Sequence, residues 1–236
     1  DASFSPTYRP VPDYMLTDDY DGGVIAQHGQ DGTLEGWTAK RWNPAVQARF
    51  AALLAALGQE FDGEIEGINL QETSIEVTAE QAASFTPQEY AAAIKQRMGA
   101  LKAAFAQSVT LQYANFMPAE WLPFEDMGYL RGIYAYGAEI GVGLGAPDLM
   151  PQRKGQLNHA ITLMHEGQFD VPLGIAVQDG NYIGETNSNQ IVGERRNLVP
   201  MLHGFAADFL KVDYMFWVNQ EPYFTQDVLP CLAPAK

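Results

Sequence analysis

Cysteine, histidine and basic residues are all scarce in this chain of 236 residues: one Cys, four His, and 14 Lys plus Arg against 29 Asp plus Glu. A single cysteine, Cys231, excludes an intrachain disulfide and a cysteine zinc cluster, and it reads as a small side chain near the C-terminus. His28, His159, His165 and His203 form no H-E-x-x-H motif, and His159 and His165 are six residues apart on one helical stretch, on different faces, so a histidine zinc site is not expected. The formal net charge of -15 argues against nucleic acid and against an anionic membrane surface as partners, since both need a basic face. No apolar run approaches the roughly 20 residues of a membrane-spanning helix.

Nucleotide motifs are missing too. The segment GINLQETS after the first clear strand is not G-x-G-x-x-G, and no G-x-x-x-x-G-K-[ST] occurs. Gly141, Gly143 and Gly145 form only G-x-G-x-G within a strand, which suits small residues facing a crowded interior. No G-x-S-x-G elbow supports Ser–His–Asp catalysis, and no cofactor is implied. The acidic run Asp18-Asp19-Tyr20-Asp21 does not match an EF-hand and reads as a solvated loop, with an all-oxygen metal site as its alternative. The chain starts at Asp1 without methionine or signal peptide, so the expectation is a removed leader or a piece of a longer protein. An acidic, lysine-poor, aromatic-rich surface fits an extracellular or periplasmic location.

With 47% hydrophobic residues, the chain can bury one full core. Five short apolar runs each end in a polar or acidic tip: Glu66–Glu72, Val109–Asn115, Ile140–Leu144, Leu173–Asp179 and Tyr214–Glu221. Amphipathic stretches separate them. Asn43-Pro44 starts a helix over PAVQARFAALLAALGQEF, with Val46, Phe50, Leu53, Leu54 and Leu57 on one face and Gly58 weakening its end. Thr86-Pro87, with Glu89 as capping-box partner, starts a second helix. Further helices are predicted over Glu125–Gly137, Gln156–Glu166 and Asn197–Leu210. Ahead of all these, Val24–Trp42 reads as a hairpin or long loop turning at Asp31-Gly32.

Alternating helices and apolar strands define an α/β protein with a parallel sheet. A full eight-stranded barrel takes about 250 residues. Here five strands occupy the chain from near Ile65 onward, so the expectation is one (β/α)-barrel-like domain over 1–236, TIM-barrel-like but incomplete or N-terminally truncated, with 1–42 as an irregular loop and hairpin region. An open doubly wound sheet is the competing architecture. An incomplete barrel exposes sheet edges, which a second copy or a helix is expected to cover.

In a parallel sheet or barrel the C-terminal strand ends converge on one face, where active sites sit. Two runs end alike, in Gln71-Glu72 and Gln178-Asp179, and a carboxylate at each of two strand ends suggests paired acid/base chemistry. Seven amides gather at these tips: Gln71, Gln112, Asn115, Gln178, Asn181, Asn219 and Gln220. Amides both donate and accept, which suits a neutral, hydroxyl-rich ligand. Tyr113, Tyr182, Trp217 and Tyr223 lie at or just past strand ends, where rings can stack on sugar C–H faces; core packing is the alternative for each.

The passage NPAVQARFAALLAALGQEFDG followed by IEGINLQETS resembles the third-helix to fourth-strand region of the retaining glycoside hydrolases with a (β/α)8 barrel, the clan that includes cellulases and β-galactosidases. There the fourth strand ends in Asn-Glu; here the pair is Gln71-Glu72. The resemblance makes the five runs strands four to eight, Glu72 the general acid/base, and Asp179 the match to the nucleophile at the end of strand seven, where the clan has Glu. YMFWVNQEP resembles the eighth strand, with Trp217 flooring the sugar site, and Glu221 rivals Asp179 as second carboxylate. The expected activity is hydrolysis of an oligo- or polysaccharide. Its catalytic candidates are Glu72, Asp179 and Glu221; its substrate-binding candidates are Gln71, Tyr113, Asn115, Asp148, Gln178, Tyr182, Trp217 and Asn219, with no metal ligand. Two alternatives stay open. One is a non-catalytic carbohydrate-binding barrel, the other an oxygen-ligated metal hydrolase of phosphate or sulfate esters using Asp18, Asp19, Asp148 or Asp179.

Overall fold

The computed structural model describes residues 2–29, 31–77, 81–120, 124–152, 159–178, 181 and 194–232. Strands β1 (Ala2–Ser3), β2 (Val24–His28) and β3 (Leu34–Ala39) form an antiparallel sheet in the order β1-β3-β2. The expected turn at Asp31-Gly32 joins β2 to β3: Thr33 N–H donates to Asp31 Oδ1 at 2.9 Å and Gly32 takes φ 80°.

The second sheet is parallel and runs in sequence order: β4 (Gly67–Leu70), β5 (Val109–Tyr113), β6 (Gly143–Ala146), β7 (Leu173–Val177) and β8 (Tyr214–Trp217). Helices α1 (Pro44–Phe61), α2 (Pro87–Ala104), α3 (Tyr129–Ile140), α4 (Ala160–Glu166) and α5 (Leu198–Gly204) alternate with the strands, and α5 continues as a π-helical turn over Phe205–Leu210. The result is a curled half-barrel. Among the described residues no further strand joins the outer edges of β4 and β8. Tyr214 Oη donates to Glu66 Oε1 at 2.8 Å, tying the base of β8 to the base of β4 across the open side.

Capping chemistry sets the two long helices. Asn43 Oδ1 accepts from Ala45 and Val46 N–H at 2.9 and 3.1 Å, with Pro44 in the first turn. Thr86 Oγ1 accepts from Glu89 N–H at 3.2 Å and donates to Glu89 Oε2 at 2.8 Å. Tyr90, Ile94, Met98 and Leu101 then line the buried face of α2 at helical spacing. On α1, Val46 and Leu54 are buried as expected, but Leu53 is 52% exposed. Gly58 has a different role from the one expected: a Cβ there would sit 2.1 Å from the Ala104 carbonyl oxygen, so the glycine lets the backbones of α1 and α2 approach closely. Helix α3 starts later than predicted, because Gly128 takes φ 79° and interrupts the helical path. No described helix is long and apolar enough to cross a membrane.

Register sorts the side chains between two faces. Asn69 and Leu70 pair with Leu111 and Gln112, Tyr113 with Gly145, Gly145 with Gly174, and Ala176 with Phe216. Side chains alternate along a strand, so Asn69, Leu111, Tyr113 and Phe216 share the concave face with Gly143, Gly145 and Gly174. The glycines make room for the larger neighbours. A Cβ on Gly143 would lie 2.5 Å from Leu111 Cδ2, and one on Gly174 would lie 3.2 Å from Phe216 Cε2. The crowding expected around the G-x-G-x-G run is therefore present at Gly143 and Gly145, whereas Gly141 lies ahead of β6 as the C-cap of α3 at φ 75°, with its nearest neighbour 3.6 Å from a Cβ. Leu70, Leu144, Ile175 and Val177 face the helices as a buried core.

Below the strands, Asp62 gathers the loop after α2, its carboxylate accepting from Ala106, Gln107 and Ser108 N–H at 3.0, 3.0 and 2.8 Å. These donors, that of Ser108 foremost, hold the Asp62 carboxyl below its ordinary range. Its folded value therefore lies below its unfolded one, and its stabilisation is full above the unfolded value and lost as pH falls through the folded value. Asp62→Asn is expected to flatten the acid limb of the stability–pH profile below about pH 4; an unchanged limb in urea titrations would refute this.

A Cβ on Gly145 would lie 1.9 Å from the Gly174 carbonyl oxygen, whereas Gly204, at φ −61° and ψ −41°, has its nearest neighbour 3.7 Å away. Gly145→Ala should cost about 1–3 kcal/mol by overpacking. Gly204→Ala should add roughly 0.5–1 kcal/mol. Urea unfolding of both variants reads the difference, and equal midpoints would contradict the packing account.

Candidate active site

The ends of β4 and β5 carry the best-defined polar cluster. Asn115 Nδ2 donates to Glu72 Oε2 at 2.6 Å. The turn that holds Glu72 is fixed from behind: Arg41 Nη1 donates to the Glu72 carbonyl at 2.6 Å and to Tyr90 Oη at 2.9 Å, and Tyr90 Oη donates to the Thr73 carbonyl at 2.8 Å. Thr73 Oγ1 donates to the Phe116 carbonyl at 2.8 Å and accepts from Asn115 N–H at 3.3 Å, locking the β4 tip to the β5 tip. Arg41, Thr73 and Tyr90 are all nearly or fully buried. Burial also pushes the Tyr90 hydroxyl above its ordinary value, so it stays protonated and able to donate.

Several buried amide atoms have no partner among the described residues: Asn69 Oδ1, Gln71 Nε2, Asn115 Oδ1 and Asn181 Nδ2. Each such group costs about 1–3 kcal/mol unless something completes it. Asn115 is thus directed by one end toward the Glu72 carboxylate, while its Oδ1 is buried with no described partner.

The other predicted residues fall into separate groups. Gln178 Nε2 donates to the Pro147 carbonyl at 2.9 Å and to Asp148 Oδ1 at 3.1 Å, joining the β6 and β7 tips, and Asn181 Oδ1 accepts from Gln178 N–H at 2.6 Å. Gln112 is buried and braces the backbone, donating to the Gln71 and Tyr113 carbonyls at 2.8 and 2.7 Å. Tyr113 lies edge-on to Phe216 with ring centroids 6.2 Å apart. By strand register Phe216, 38% exposed, shares the face of Tyr113, while Trp217 falls on the helix-facing side. Asn219 and Glu221 are exposed in the segment after β8, where the Glu221 carboxylate accepts from Thr225 Oγ1. Asp179 and Tyr182 lie outside the described residues.

Four further residues carry no local signal in the sequence. Arg41 and Tyr90 act on the β4 tip from 31 and 17 positions away in the chain. Buried His159 sets its ring edge-on to Phe116, centroids 4.6 Å apart, beside the β5 tip, and burial lowers its pKa so that the neutral ring is favoured. Glu120, also buried, caps α3 by accepting from Gly128 and Leu130 N–H at 2.9 and 2.8 Å; burial raises its carboxyl above the ordinary range. Among the described residues no three His, Cys, Asp or Glu side chains come together as a metal-ligand set. Comparison with family models, curated proteins and solved structures gives no match in any of the three.

Tyr90→Phe leaves both the Thr73 carbonyl and one Arg41 donor without their partner. The expected cost is about 1–3 kcal/mol in urea unfolding. A variant as stable as the parent would show that the relay does not hold the turn.

Proposed function

We propose that this protein is a glycoside hydrolase of the (β/α)8 kind, cleaving an oligo- or polysaccharide, with its five parallel strands standing as the fourth to eighth of the barrel. The observation that carries the reading is the Glu72 carboxylate just past the end of a parallel strand, oriented by Asn115 at 2.6 Å, with Asn115 Oδ1 and the adjacent Gln71 Nε2 buried without a described partner. The exposed edge of Phe216 beside Tyr113 adds an aromatic surface on the same concave face.

In this reading Glu72 donates its proton to the glycosidic oxygen as the bond to the anomeric carbon breaks, so the leaving sugar departs as a neutral alcohol. A second carboxylate, Asp179 after β7 or Glu221 after β8, supports the positive charge that develops at that carbon; water then adds its oxygen there to form the hemiacetal, and its proton passes to a carboxylate. Gln71, Asn115, Gln178 and Asn181 then hold ring hydroxyls. Asn115 has a double role: its Nδ2 orients the acid and its Oδ1 accepts from a sugar hydroxyl.

Glu72→Gln keeps the shape of the side chain and removes the transferable proton. On a panel of aryl glycosides and oligosaccharides its kcat should fall by about 10²–10⁴, the usual share of general acid–base catalysis, with KM little changed. Full turnover in the variant would remove the assignment. Glycan binding by the parent protein with no sugar released would instead assign the face to carbohydrate binding without catalysis.

A further inference from the structure

The apolar face of α1 is larger than the core needs. Leu54 packs into the main buried cluster, whereas Leu53 is 52% exposed and belongs to neither buried cluster. Leu53 instead lines a cavity of about 430 Å³ between α1 and the segment that precedes β2. Val46, Phe50 and Leu53 line it from α1 at helical spacing, and Val11 and Met15 line it from the other wall. Its volume falls within the roughly 300–1,000 Å³ common for small-molecule sites, which are mostly apolar with a few placed polar groups.

Aromatic rings and cations meet at this cavity. Tyr14 lines it and is 50% exposed. The Arg49 guanidinium stands over the Tyr14 ring at 5.2 Å from its centroid and donates from Nε to Tyr14 Oη at 3.2 Å. Tyr20 meets the same ring edge to face, with centroids 6.0 Å apart, so Tyr14 is braced by two neighbours. Phe50 in turn carries the Arg97 guanidinium over its ring at 3.9 Å. None of the described lining residues is Asp or Glu. A guanidinium attracts the negative face of an aromatic ring through its charge, perpendicular to the plane in which its N–H groups bond, so this attraction needs no spare donor. A ring seated here meets Tyr14 and Arg49 and covers Leu53; a saturated body of the same shape gains the apolar contact alone.

We propose that this cavity binds an uncharged, flat aromatic molecule of one or two fused rings. Its faces lie against Tyr14 and the Arg49 guanidinium, and its edge against Val11, Met15 and Leu53. The buried Arg41 and Arg97 serve only as wall. The site is separate from the proposed sugar site and does not depend on glycosidase activity.

Isothermal titration of the full chain with naphthol, and with its fully saturated counterpart decalol, tests the assignment. Naphthol should bind saturably at one site per chain, at least about fivefold tighter than decalol, the share of one cation–π or ring–ring contact. Leu53→Glu puts a carboxylate into the exposed wall, one turn from Arg49, and should weaken naphthol at least about tenfold. Leu53→Met keeps the wall apolar and should bind within about twofold of the parent. Tyr14→Leu keeps apolar bulk without the ring and should bring naphthol and decalol within about twofold of each other. Circular dichroism verifies that the variants fold, and the parent's naphthol-to-decalol ratio decides the matter if one does not. Equal affinity of the parent for naphthol and decalol, a Leu53→Glu variant that binds as well as the parent, a Tyr14→Leu variant that keeps the parent's selectivity, or no saturable naphthol binding would overturn the proposal.

Discussion

The turn after β4 depends on one buried arginine. Arg41 stands just past the end of β3, in the antiparallel part of the molecule, yet its Nη1 reaches the Glu72 carbonyl at the tip of the parallel sheet. A guanidinium with 2% exposure is costly to remove from water unless well-oriented acceptors surround it. Here the Glu72 carbonyl and Tyr90 Oη serve, and Tyr90 passes the constraint on to the Thr73 carbonyl. Thr73 then joins β4 to the backbone after β5. The carboxylate proposed to do the chemistry is half-buried, and its backbone is held from the protein side.

The concave face follows from a second constraint, one of volume. The middle strands β6 and β7 carry Gly143, Gly145 and Gly174 on this face, so side chains from β5 and β8 can lean inward over them. Leu111, Tyr113 and Phe216 fill that space, and the Tyr214–Glu66 hydrogen bond holds the two edge strands at the matching curvature. Substituting an alanine for Gly143 or Gly145 would push against carbonyl oxygens as well as side chains. The amides at the strand ends then sit on a floor that is rigid for steric reasons, which is what a site of preset geometry needs.

Much of this was readable from local chemistry. Asn43-Pro44 and Thr86-Pro87 fixed the starts of α1 and α2 because a cap acts within three residues, and Asp31-Gly32 marked its turn for the same reason. All five parallel strands fell within the predicted apolar runs or within two residues of them. The misses came from longer-range or finer effects. Gly128 at φ 79° delayed α3; Gly58 proved to be a close helix contact; and one step of strand parity turned Phe216 rather than Trp217 toward Tyr113. Arg41, Tyr90, His159 and Glu120 join the story only through tertiary packing, and single-residue identity gives no warning of it. Only coordinates separate Gln112, a backbone brace, from Gln71 and Asn115, whose buried Nε2 and Oδ1 have no described partner.

The central claim is that a sugar occupies the space in front of Glu72 and completes the open amides. The most direct measurement is a crystal structure of the Glu72→Gln variant with an oligosaccharide chosen by glycan-array binding. The account predicts a sugar ring hydrogen-bonded to Asn115 Oδ1 and Gln71 Nε2, with a glycosidic oxygen within reach of residue 72. A glycan bound elsewhere on the molecule, or an array on which the protein captures no glycan, would contradict it.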